Sequence, residues 1–406
     1  MENKLKILFT IECYPPIVSG SGISTKRIAT GLASRGHQIA VACPGKGFGL
    51  EKTIENSVIV YRLSSIPVLL YKEYYFSPFA KKYMDDIFDD FEPDIVHVED
   101  HFFVSTAAIA EAKKRNIPVI GTNHFHPGNL LPHFKIKKDL AIYKVLERMF
   151  WDSFIKVFNR LILVTVPSYS AARIIKEAGV SRPPIYIISN GINLDSYMAN
   201  QVDCDIINKY RIDKSKVILI SVSRLEKEKR VDLLIRALSL IKEKADFQYL
   251  VVGNGKEKIN LEKIAEASTI YNKTFFTGQI TDYELSQLYK LSDIFLTASE
   301  IELQGISIME AMASGLPVVA SNSMAIPELV SNGINGYLFE PGNIREASDK
   351  ILLLINDIDL RKKMGENSIN LIKKHDFKNT LDEFEAIYQS LIHSKSKQQI
   401  SILAYS

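Results

Sequence analysis

Cysteine is scarce in this sequence, because the chain of 406 residues contains three: Cys13, Cys43 and Cys204. They are scattered along the chain and do not have the spacing of zinc ligands. Few, unclustered cysteines are typical of proteins from a reducing compartment. The cysteine pattern therefore excludes a zinc-ribbon type of site and favours a cytoplasmic location.

Long apolar runs are also missing. No stretch approaches the ~20 consecutive apolar residues that a membrane-spanning helix needs. The apolar run after Lys4 and Lys6 is too short for the core of a signal peptide and is typical of a first buried strand. We therefore expect a cytoplasmic protein, with peripheral binding to the inner face of the cell membrane still open to it.

An excess of one charge is missing as well, since the formal net charge is +3. Residues 1–200 contain 24 Lys and Arg against 19 Asp and Glu, and the remainder contains 26 against 28. This mild asymmetry does not indicate a nucleic-acid partner. A chain of 406 residues with 46% hydrophobic residues is long enough for two cores, so we expect two domains.

Short β-type runs alternate with amphipathic helical segments throughout. The first series is KILFTI, HQIAVACP, DIVHV, IPVIGTNH, LILVTVPS and IYIISNG; the second is KVILISVSRL, FQYLVVGNG, TFFTG, DIFLTAS, LPVVAS and NGYLF. Such alternation predicts parallel sheets covered by helices on both faces. The polar, turn-rich segment near residues 196–214 has the composition of a linker. We predict an α/β fold with two doubly wound sheets that face a cleft, and ligands beyond the carboxyl ends of the strands.

Three strand ends carry features that suit phosphate binding. Gly20 and Gly22 precede a helix, where backbone N–H groups can approach a phosphate, although a tight turn explains them equally well. Arg224 and Lys229 are five residues apart after a strand and can converge on one diphosphate, or belong to a solvated loop. Gly253, in VVGNG, is a weaker signal of the same kind.

Histidine and carboxylate residues follow two other strands. His124 lies in TNHFH at the end of a strand that is predicted to be buried, where a histidine is either functional or a core residue. The HVEDH run has His97, Glu99 and His101 at a spacing that suits a metal, but no matching set of further ligands is present. Asp203 and Asp205 imitate a metal-binding D-x-D, yet they fall in the predicted linker. We expect no metal site.

The stretch EIELQGISIME contains two carboxylates, Glu302 and Glu310, on either side of a predicted helix start at Gly305. A diphosphate at this helix N-terminus would meet free N–H groups and the positive end of the helix dipole. The two carboxylates lie at different depths and can accept hydrogen bonds from hydroxyls at different parts of one ligand.

Together these residues resemble family 4 of the retaining nucleotide-sugar glycosyltransferases, which have the GT-B fold of two Rossmann-like domains. The resemblance runs nearly from end to end. Its motifs follow in order: YPPIVSGSG, ISNGINLDSY, VSRLEKEKRVDLLIRAL, VVGNGKEKINLEKIAE, FTGQITDYELSQLYKLSDIFLTAS, EIELQGISIMEAMASGLPVVAS and IPELVSNGINGYLFEPGN. It implies an N-terminal acceptor-side domain at residues 1–196, a nucleotide-sugar domain at 197–376, and a last helix at about 377–395 that packs on the first domain.

The resemblance also implies a role for each matching residue. Glu310 would hold the ribose hydroxyls and Glu302 the hydroxyls of the donor sugar. The amides of Gly305 and Ile306 would bind the diphosphate. The remaining donor residues would be Arg224, Lys229, Gly253 and Gly20, and His124 would contact the transferred sugar. Such enzymes retain the anomeric configuration and usually need no metal, because Arg and Lys neutralise the leaving group. A front-face route suits this chain, because no carboxylate obviously serves as the nucleophile of a double displacement.

Two departures from the common family pattern are present. Arg230 stands where the family often has glycine, so the resemblance does not predict the backbone conformation of that loop. Gln304 gives E-L-Q-G in place of the common E-x-F-G and, with TNHFHPGNLL, resembles the membrane-lipid branch. That branch glycosylates diacylglycerol and related lipids, and it implies a hexose donor such as UDP-glucose.

Residues 135–160 give the lipid hypothesis separate physical support. They contain seven basic and three acidic residues and have apolar residues near helical spacing: Ile142, Leu146, Met149, Phe150, Trp151, Phe154, Val157 and Phe158. Such a helix either lies on an anionic membrane or packs on the sheet with its lysines in water. Tyr71, Tyr74, Tyr75 and Phe76 either line an acceptor entrance or belong to the core. The alternatives to a lipid acceptor are a soluble or polysaccharide-precursor acceptor, and a non-catalytic protein that binds sugar nucleotides.

Overall fold

The computed structural model describes residues 4–17, 19–68, 71–131, 140–198 and 203–393. The chain forms two compact units. Unit 1 contains residues 1–189 and 380–406, and unit 2 contains residues 190–379. The contacts change from one unit to the other between residues 189 and 190. The predicted roles and bounds of the two domains, divided between residues 196 and 197, stay a prediction.

The described residues of unit 1 form one large sheet and one hairpin. The strands are β1 (Lys6–Thr10), β2 (Gln38–Pro44), β3 (Leu50–Glu55), β4 (Val58–Leu63), β5 (Ile66–Val68), β6 (Tyr71–Phe76), β7 (Ile95–Val98), β8 (Val119–Thr122), β9 (Leu163–Val166) and β10 (Ile185–Ile187). The large sheet has the order β10-β9-β8-β7-β1-β2-β4-β3. All its pairs are parallel except β3 with β4, and β5 and β6 form a separate antiparallel pair. The predicted strands are confirmed, whereas β3, β4, β5 and β6 were not predicted.

Helices cover the sheet of unit 1. They are α1 (Gly20–Ser34), α2 (Lys81–Phe91), α3 (Phe103–Lys114), α4 (Pro127–Leu130), α5 (Ala141–Phe158) and α6 (Tyr169–Ala178). The central strands β1, β7, β8 and β9 are almost wholly buried, as expected for strands with helices on both faces. Residues 135–139 of the predicted basic helix lie outside the described residues.

The described part of unit 2 contains a single sheet of six parallel strands. They are β11 (Val217–Val222), β12 (Phe247–Val252), β13 (Thr274–Gly278), β14 (Ile294–Thr297), β15 (Val318–Ser321) and β16 (Gly336–Phe339). Their order is β13-β12-β11-β14-β15-β16. This sheet contains all six strands of the second predicted series. The prediction of an α/β fold with two doubly wound parallel-sheet domains is therefore confirmed.

The helices of unit 2 pack on both faces of its sheet. They are α7 (Leu194–Met198), α8 (Cys204–Lys209), α9 (Val231–Ser239), α10 (Lys258–Ala267), α11 (Asp282–Lys290), α12 (Ile306–Ala313), α13 (Ile326–Leu329), α14 (Ile344–Asn356) and α15 (Ile358–Ile372). The last helix of the described chain is α16 (Phe377–His393). From residue 380 onward α16 belongs to unit 1, where Tyr388 is completely buried.

The prediction of a linker near residues 196–214 is wrong. The described part of this segment contains the end of α7 and all of α8, and four of its apolar side chains are buried in a core cluster of unit 2: Tyr197, Ile206, Tyr210 and Ile212. Helices of five and six residues bury only one or two side chains each, so no helical period is visible in the sequence. Asp203 caps α8 by accepting a hydrogen bond from the Asp205 amide at 2.9 Å, which explains the D-C-D sequence without a metal.

Candidate active site

Seven of the nine predicted site residues belong to unit 2 and follow neighbouring strands. Arg224 and Lys229 follow β11, Gly253 follows β12, and Glu302 follows β14. Because β11 lies between β12 and β14, the three loops meet at the carboxyl edge of the sheet. We name residues 223–230 the cation loop and residues 299–305 the glutamate loop.

The cation loop has the backbone that a glycine would give it, although the residue is Arg230. Arg230 has a φ of +49°, a left-handed conformation that costs a non-glycine residue ~1–2 kcal/mol. Its guanidinium donates to Asp232 Oδ1 at 3.2 Å and forms an ion pair with Glu300. These contacts offset the backbone strain. Glu300, the first glutamate of EIELQGISIME, therefore stabilises the loop.

The glutamate loop leads into α12 through Gly305. Gly305 has a φ of +88°, a backbone conformation that side-chain-bearing residues rarely adopt and that favours glycine. No side chain of the described residues forms a capping hydrogen bond at this helix end. The first amides of α12, beginning at Ile306, have no acceptor within the helix and can donate to an anion. The buried Gln304 accepts a hydrogen bond from the Asn190 amide at 2.9 Å, so its side chain holds the glutamate loop to the first residue of unit 2.

Three contacts hold the cation loop against the glutamate loop. The Glu300 amide donates to the Glu228 carbonyl at 3.0 Å, and Arg230 pairs with Glu300. Lys229 Nζ lies 2.6 Å from Glu302 Oε1, and both side chains are less than one-fifth exposed. The predicted phosphate-binding cation and the predicted sugar-binding carboxylate are therefore direct neighbours, as one diphosphate-sugar would require.

Glu228 was missed by the sequence analysis. Its side chain is 3% exposed, and its Oε1 lies 3.3 Å from Arg224 Nη2. A buried carboxylate beside a guanidinium restricts where that guanidinium can point. Arg224 is therefore held in place by its own loop. A carboxylate four residues from an arginine is the only sequence signal for this contact.

Glu310 lies one turn into α12 and is 5% exposed. Its Oε2 accepts a hydrogen bond from the Tyr289 hydroxyl at 3.2 Å. Tyr289 was also missed, because a tyrosine in the amphipathic α11 is indistinguishable from a core residue in the sequence.

Gly253 has a structural reason for being glycine. Its φ is +128°, and a Cβ would lie 1.9 Å from the Ser223 carbonyl oxygen. Gly255 is similar, since its Cβ would lie 2.4 Å from the Leu225 carbonyl oxygen. The two glycines of VVGNG therefore allow the loop after β12 to pack directly against the backbone of the cation loop.

Gly20 and His124 belong to unit 1, where they follow β1 and β8. Ser19 caps α1 by accepting a hydrogen bond from the Gly22 amide at 3.0 Å. A Cβ on Gly22 would lie 2.2 Å from the Cys13 carbonyl oxygen, whereas a Cβ on Gly20 would meet nothing within 4 Å. Gly22 is therefore the glycine that packing requires, and Gly20 borders open space that a ligand can approach.

His124 is held by a buried carboxylate at the end of the neighbouring strand β7. Its Nε2 lies 2.9 Å from Glu99 Oε2, and the Glu99 side chain is completely buried. This contact favours the tautomer in which Nε2 carries the proton. Glu99 therefore positions Nε2 of His124, and the His124 side chain is only partly buried.

His97 is the core histidine of this region. Its Nδ1 lies 2.7 Å from the Tyr388 hydroxyl and its Nε2 lies 2.6 Å from Thr122 Oγ1. Burial lowers the pKa of His97 to about 4, so the ring is neutral at physiological pH. Among the described residues no group of three His, Cys, Asp or Glu side chains is placed to hold a metal ion. The expectation that no metal is needed stays a prediction.

Two family profiles match the chain, one in its first half and the other in its second half. Residues 18–196 match the family described as Glycosyltransferase Family 4, and residues 203–371 match Glycosyl transferases group 1. The chain belongs to glycosyltransferase family 4. It is therefore an enzyme that transfers sugars, and the non-catalytic alternative is excluded.

Curated relatives of this family 4 enzyme align over nearly the whole chain. N-acetyl-alpha-D-glucosaminyl L-malate synthase of Bacillus anthracis is 26% identical over 98% of this chain and 100% of its own length. Alpha-monoglucosyldiacylglycerol synthase of Acholeplasma laidlawii is 25% identical over 95% of this chain and 97% of its own length.

A solved structure has the same fold. Anabaena HepE, solved in complex with UDP and glucose, superposes with a TM-score of 0.76. It is 20% identical, and the match covers 95% of this chain and 100% of that one. The predicted GT-B fold is confirmed.

The family 4 enzyme has a further buried carboxyl group in unit 1, on Glu12, two residues after the end of β1. Glu12 accepts a hydrogen bond from the Val104 amide at 3.0 Å, and its own amide donates to Asp100. Burial, and secondarily the charge of Asp100, raises the pKa of Glu12 to about 8. Between about pH 4.5 and pH 8 the folded state holds a proton on Glu12 that the unfolded state has released. The contribution of Glu12 to the free energy of unfolding therefore falls as the pH rises from about 4.5 to about 8.

A Glu12→Gln variant is expected to be more stable than wild type at about pH 9 and to lose this advantage at about pH 5. Glutamine keeps the oxygen that accepts from Val104 and carries no charge. Urea unfolding at both pH values measures the difference. A stability difference that is the same at both pH values would show that Glu12 does not titrate in this range.

Within the described ranges, 4–393 with their gaps, no helix combines the length and the hydropathy that crossing a bilayer requires.

Proposed function

We propose that this family 4 enzyme is a retaining hexosyltransferase that moves glucose from UDP-glucose to a diacylglycerol-type lipid. It would act in the cytoplasm, at the inner face of the cell membrane. The observation that carries the lipid acceptor is a second apolar face on α5.

The predicted apolar stripe of residues 135–160 is divided in the structure. Phe154, Val157 and Phe158 are buried in unit 1. Ile142, Val145 and Met149 point the other way and are 56%, 56% and 60% exposed. Val145 and Met149 lie three and seven residues after Ile142, so the three side chains form one outward stripe on the helix. A surface helix that packs on a sheet needs only one apolar face, so the outward stripe is available to a partner other than the sheet.

The charges around the outward stripe suit an anionic leaflet. Lys144 and Arg148 are exposed beside it, and each basic residue near such a surface contributes ~1 kcal/mol. Because α5 connects β8 to β9, its first turns lie nearest the carboxyl edge of the sheet. Other exposed apolar side chains follow β2, β4, β7 and β9 at this edge: Phe48, Ile66, Phe103 and Tyr169. The acceptor-side surface of unit 1 would therefore lie on lipid.

The donor assignment rests on the loops of unit 2. The helix start at Gly305 and the cations Arg224 and Lys229 suit a diphosphate, and Glu302 and Glu310 suit the hydroxyls on either side of it. Both cations would neutralise the leaving UDP without a metal. Glu302, whose Oε1 lies 2.6 Å from Lys229 Nζ, is assigned to hydroxyl binding and not to nucleophilic attack, so the proposal keeps the front-face route.

Relatives support both acceptor classes. The Acholeplasma relative is named for a glucosyl diacylglycerol product and the Bacillus relative for a malate product. A soluble acceptor is therefore the second candidate, and the outward stripe of α5 favours the lipid.

Co-sedimentation with vesicles separates the two acceptors. Wild type is expected to bind phosphatidylglycerol vesicles at low salt and to dissociate as salt screens the charges. The triple variant Ile142→Ser, Val145→Ser and Met149→Ser is expected to bind about 100-fold more weakly, because three partly inserted apolar side chains are lost.

The matched control replaces two exposed apolar residues of unit 2, Leu240 and Ile259, with serine. This control is expected to bind vesicles like wild type. If wild type stays in the supernatant at low salt, the lipid acceptor is wrong and the soluble acceptor takes its place.

A thermal-shift panel tests the donor. UDP-glucose is expected to raise the Tm more than GDP-glucose or ADP-glucose at equal concentration, by mass action on the folded state. Glu310→Gln is expected to lose about tenfold or more in affinity, since a buried acceptor for the ribose hydroxyls becomes an amide. Glu266→Gln, at an exposed position on α10, is the control. NMR of the product measures retention, and an inverted anomeric centre would contradict the proposed mechanism.

A further inference from the structure

Tyr289 is a completely buried side chain at the base of the candidate donor site. It lies on α11, and its ring contacts those of Tyr197 and Phe295 at centroid distances of 6.0 and 6.1 Å. A ring confined on several sides holds its hydroxyl at one place.

The hydroxyl of Tyr289 reaches two groups of α12. It lies 3.2 Å from Glu310 Oε2 and 3.2 Å from the Ser307 carbonyl oxygen. A phenol has one proton, so both acceptors share it in a three-centre hydrogen bond. One hydroxyl thereby connects the carboxylate to the first turn of the helix.

We infer that Tyr289 is a positioning residue for the nucleotide, which rests on the proposed function of Glu310 as the ribose-binding carboxylate. The last torsion of a glutamate side chain is broad, so an isolated carboxylate turns freely. A hydrogen bond to Oε2 fixes the plane of the carboxylate. Two carboxylate oxygens can accept about four hydrogen bonds, so the tyrosine contact leaves capacity for the two ribose hydroxyls. Tyr289 thus acts on ribose recognition through Glu310.

The test compares UDP with 2′,3′-dideoxy-UDP, which lacks both ribose hydroxyls. Tyr289→Phe keeps the ring and removes only the hydroxyl. Titration calorimetry is expected to show that Tyr289→Phe binds UDP about tenfold more weakly than wild type, because a hydrogen bond to a charged group is lost. The variant and wild type are expected to bind 2′,3′-dideoxy-UDP equally. In a Glu310→Gln background, Tyr289→Phe is expected to change UDP affinity little.

The matched control is Tyr249→Phe, which removes another completely buried hydroxyl of unit 2, bonded to Ser221 Oγ at 2.7 Å. It is expected to leave the ratio of UDP to 2′,3′-dideoxy-UDP affinities unchanged. Equal losses for both nucleotides in Tyr289→Phe would overturn the inference and assign a purely structural role. So would an unchanged affinity for UDP.

The same titrations with ADP, GDP and their dideoxy forms separate the inference from the proposed donor. If wild type prefers one of these pairs, uridine is the wrong donor base, and Tyr289 is then judged on that pair. If wild type binds every dideoxy form as well as its parent, the ribose role of Glu310 fails and the inference fails with it.

Discussion

Lys229→Ala is expected to lower kcat/KM for sugar transfer by about 10³-fold. The side chain is 15% exposed, so its charge acts in a less polar medium than bulk water and is not replaced by solvent. Two losses combine in the variant. The leaving diphosphate loses a neutralising cation, and Glu302 loses the ammonium group that lies 2.6 Å from its Oε1. Steady-state kinetics with the donor identified by the thermal-shift panel measure the effect.

The control for this variant lies two residues away. Lys227 belongs to the same 3₁₀ turn but is exposed. Lys227→Ala keeps the overall change in charge and is expected to retain activity within about threefold. Should the two variants lose activity equally, the field of the whole loop, and not a contact of Lys229, would be responsible.

Gly253→Ala is expected to destabilise unit 2 by ~2–4 kcal/mol and to reduce transfer. The new Cβ would lie 1.9 Å from the Ser223 carbonyl oxygen, and the φ of +128° disfavours any side chain. Because the obstacle is backbone, relief requires moving the start of the cation loop, next to Arg224. Urea unfolding and kinetics at a temperature where the variant is folded measure the two effects separately.

Gly342→Ala is the control that separates the effect of the Cβ clash from the effect of the positive φ. Gly342 also has a positive φ, +83°, but a Cβ there would meet nothing within 4 Å. The control is expected to cost only ~1 kcal/mol and to keep full activity. A stability loss in Gly253→Ala no greater than this would mean that the loops adjust without moving the site.

The sheets were predictable from sequence because their strands are buried on both faces. Such strands are short continuous apolar runs, as in KILFTI and DIFLTAS, and the residues after them were placed at the right edge of each sheet. The half-exposed β3 has no such run: LEKTIE pairs antiparallel with β4, at the edge of the sheet. Its pairing depends on tertiary contacts that a local pattern does not contain.

The supporting residues of the site were not predictable for a related reason. Arg224 and Glu310 stand out because charge beside an apolar run is unusual. Glu228 and Tyr289, which hold them, have the residue types of an ordinary charged loop and an ordinary amphipathic helix. The two faces of α5 were likewise indistinguishable in sequence, since both contain apolar residues at helical spacing.

Unit 1 combines the first part of the chain, residues 1–189, with the last part, from residue 380 onward. The core of unit 1 is therefore completed after the core of unit 2 during synthesis. Unit 2 is one continuous segment, residues 190–379. Nδ1 of the buried His97 lacks its hydrogen-bond partner until Tyr388 is synthesised, because this tyrosine is 291 residues further along the chain. Domains usually fold from the N-terminus onward as the ribosome releases them. Here the first sheet to be made is the last to be finished, and its buried polar groups need protection from water and from other chains until α16 has left the ribosome.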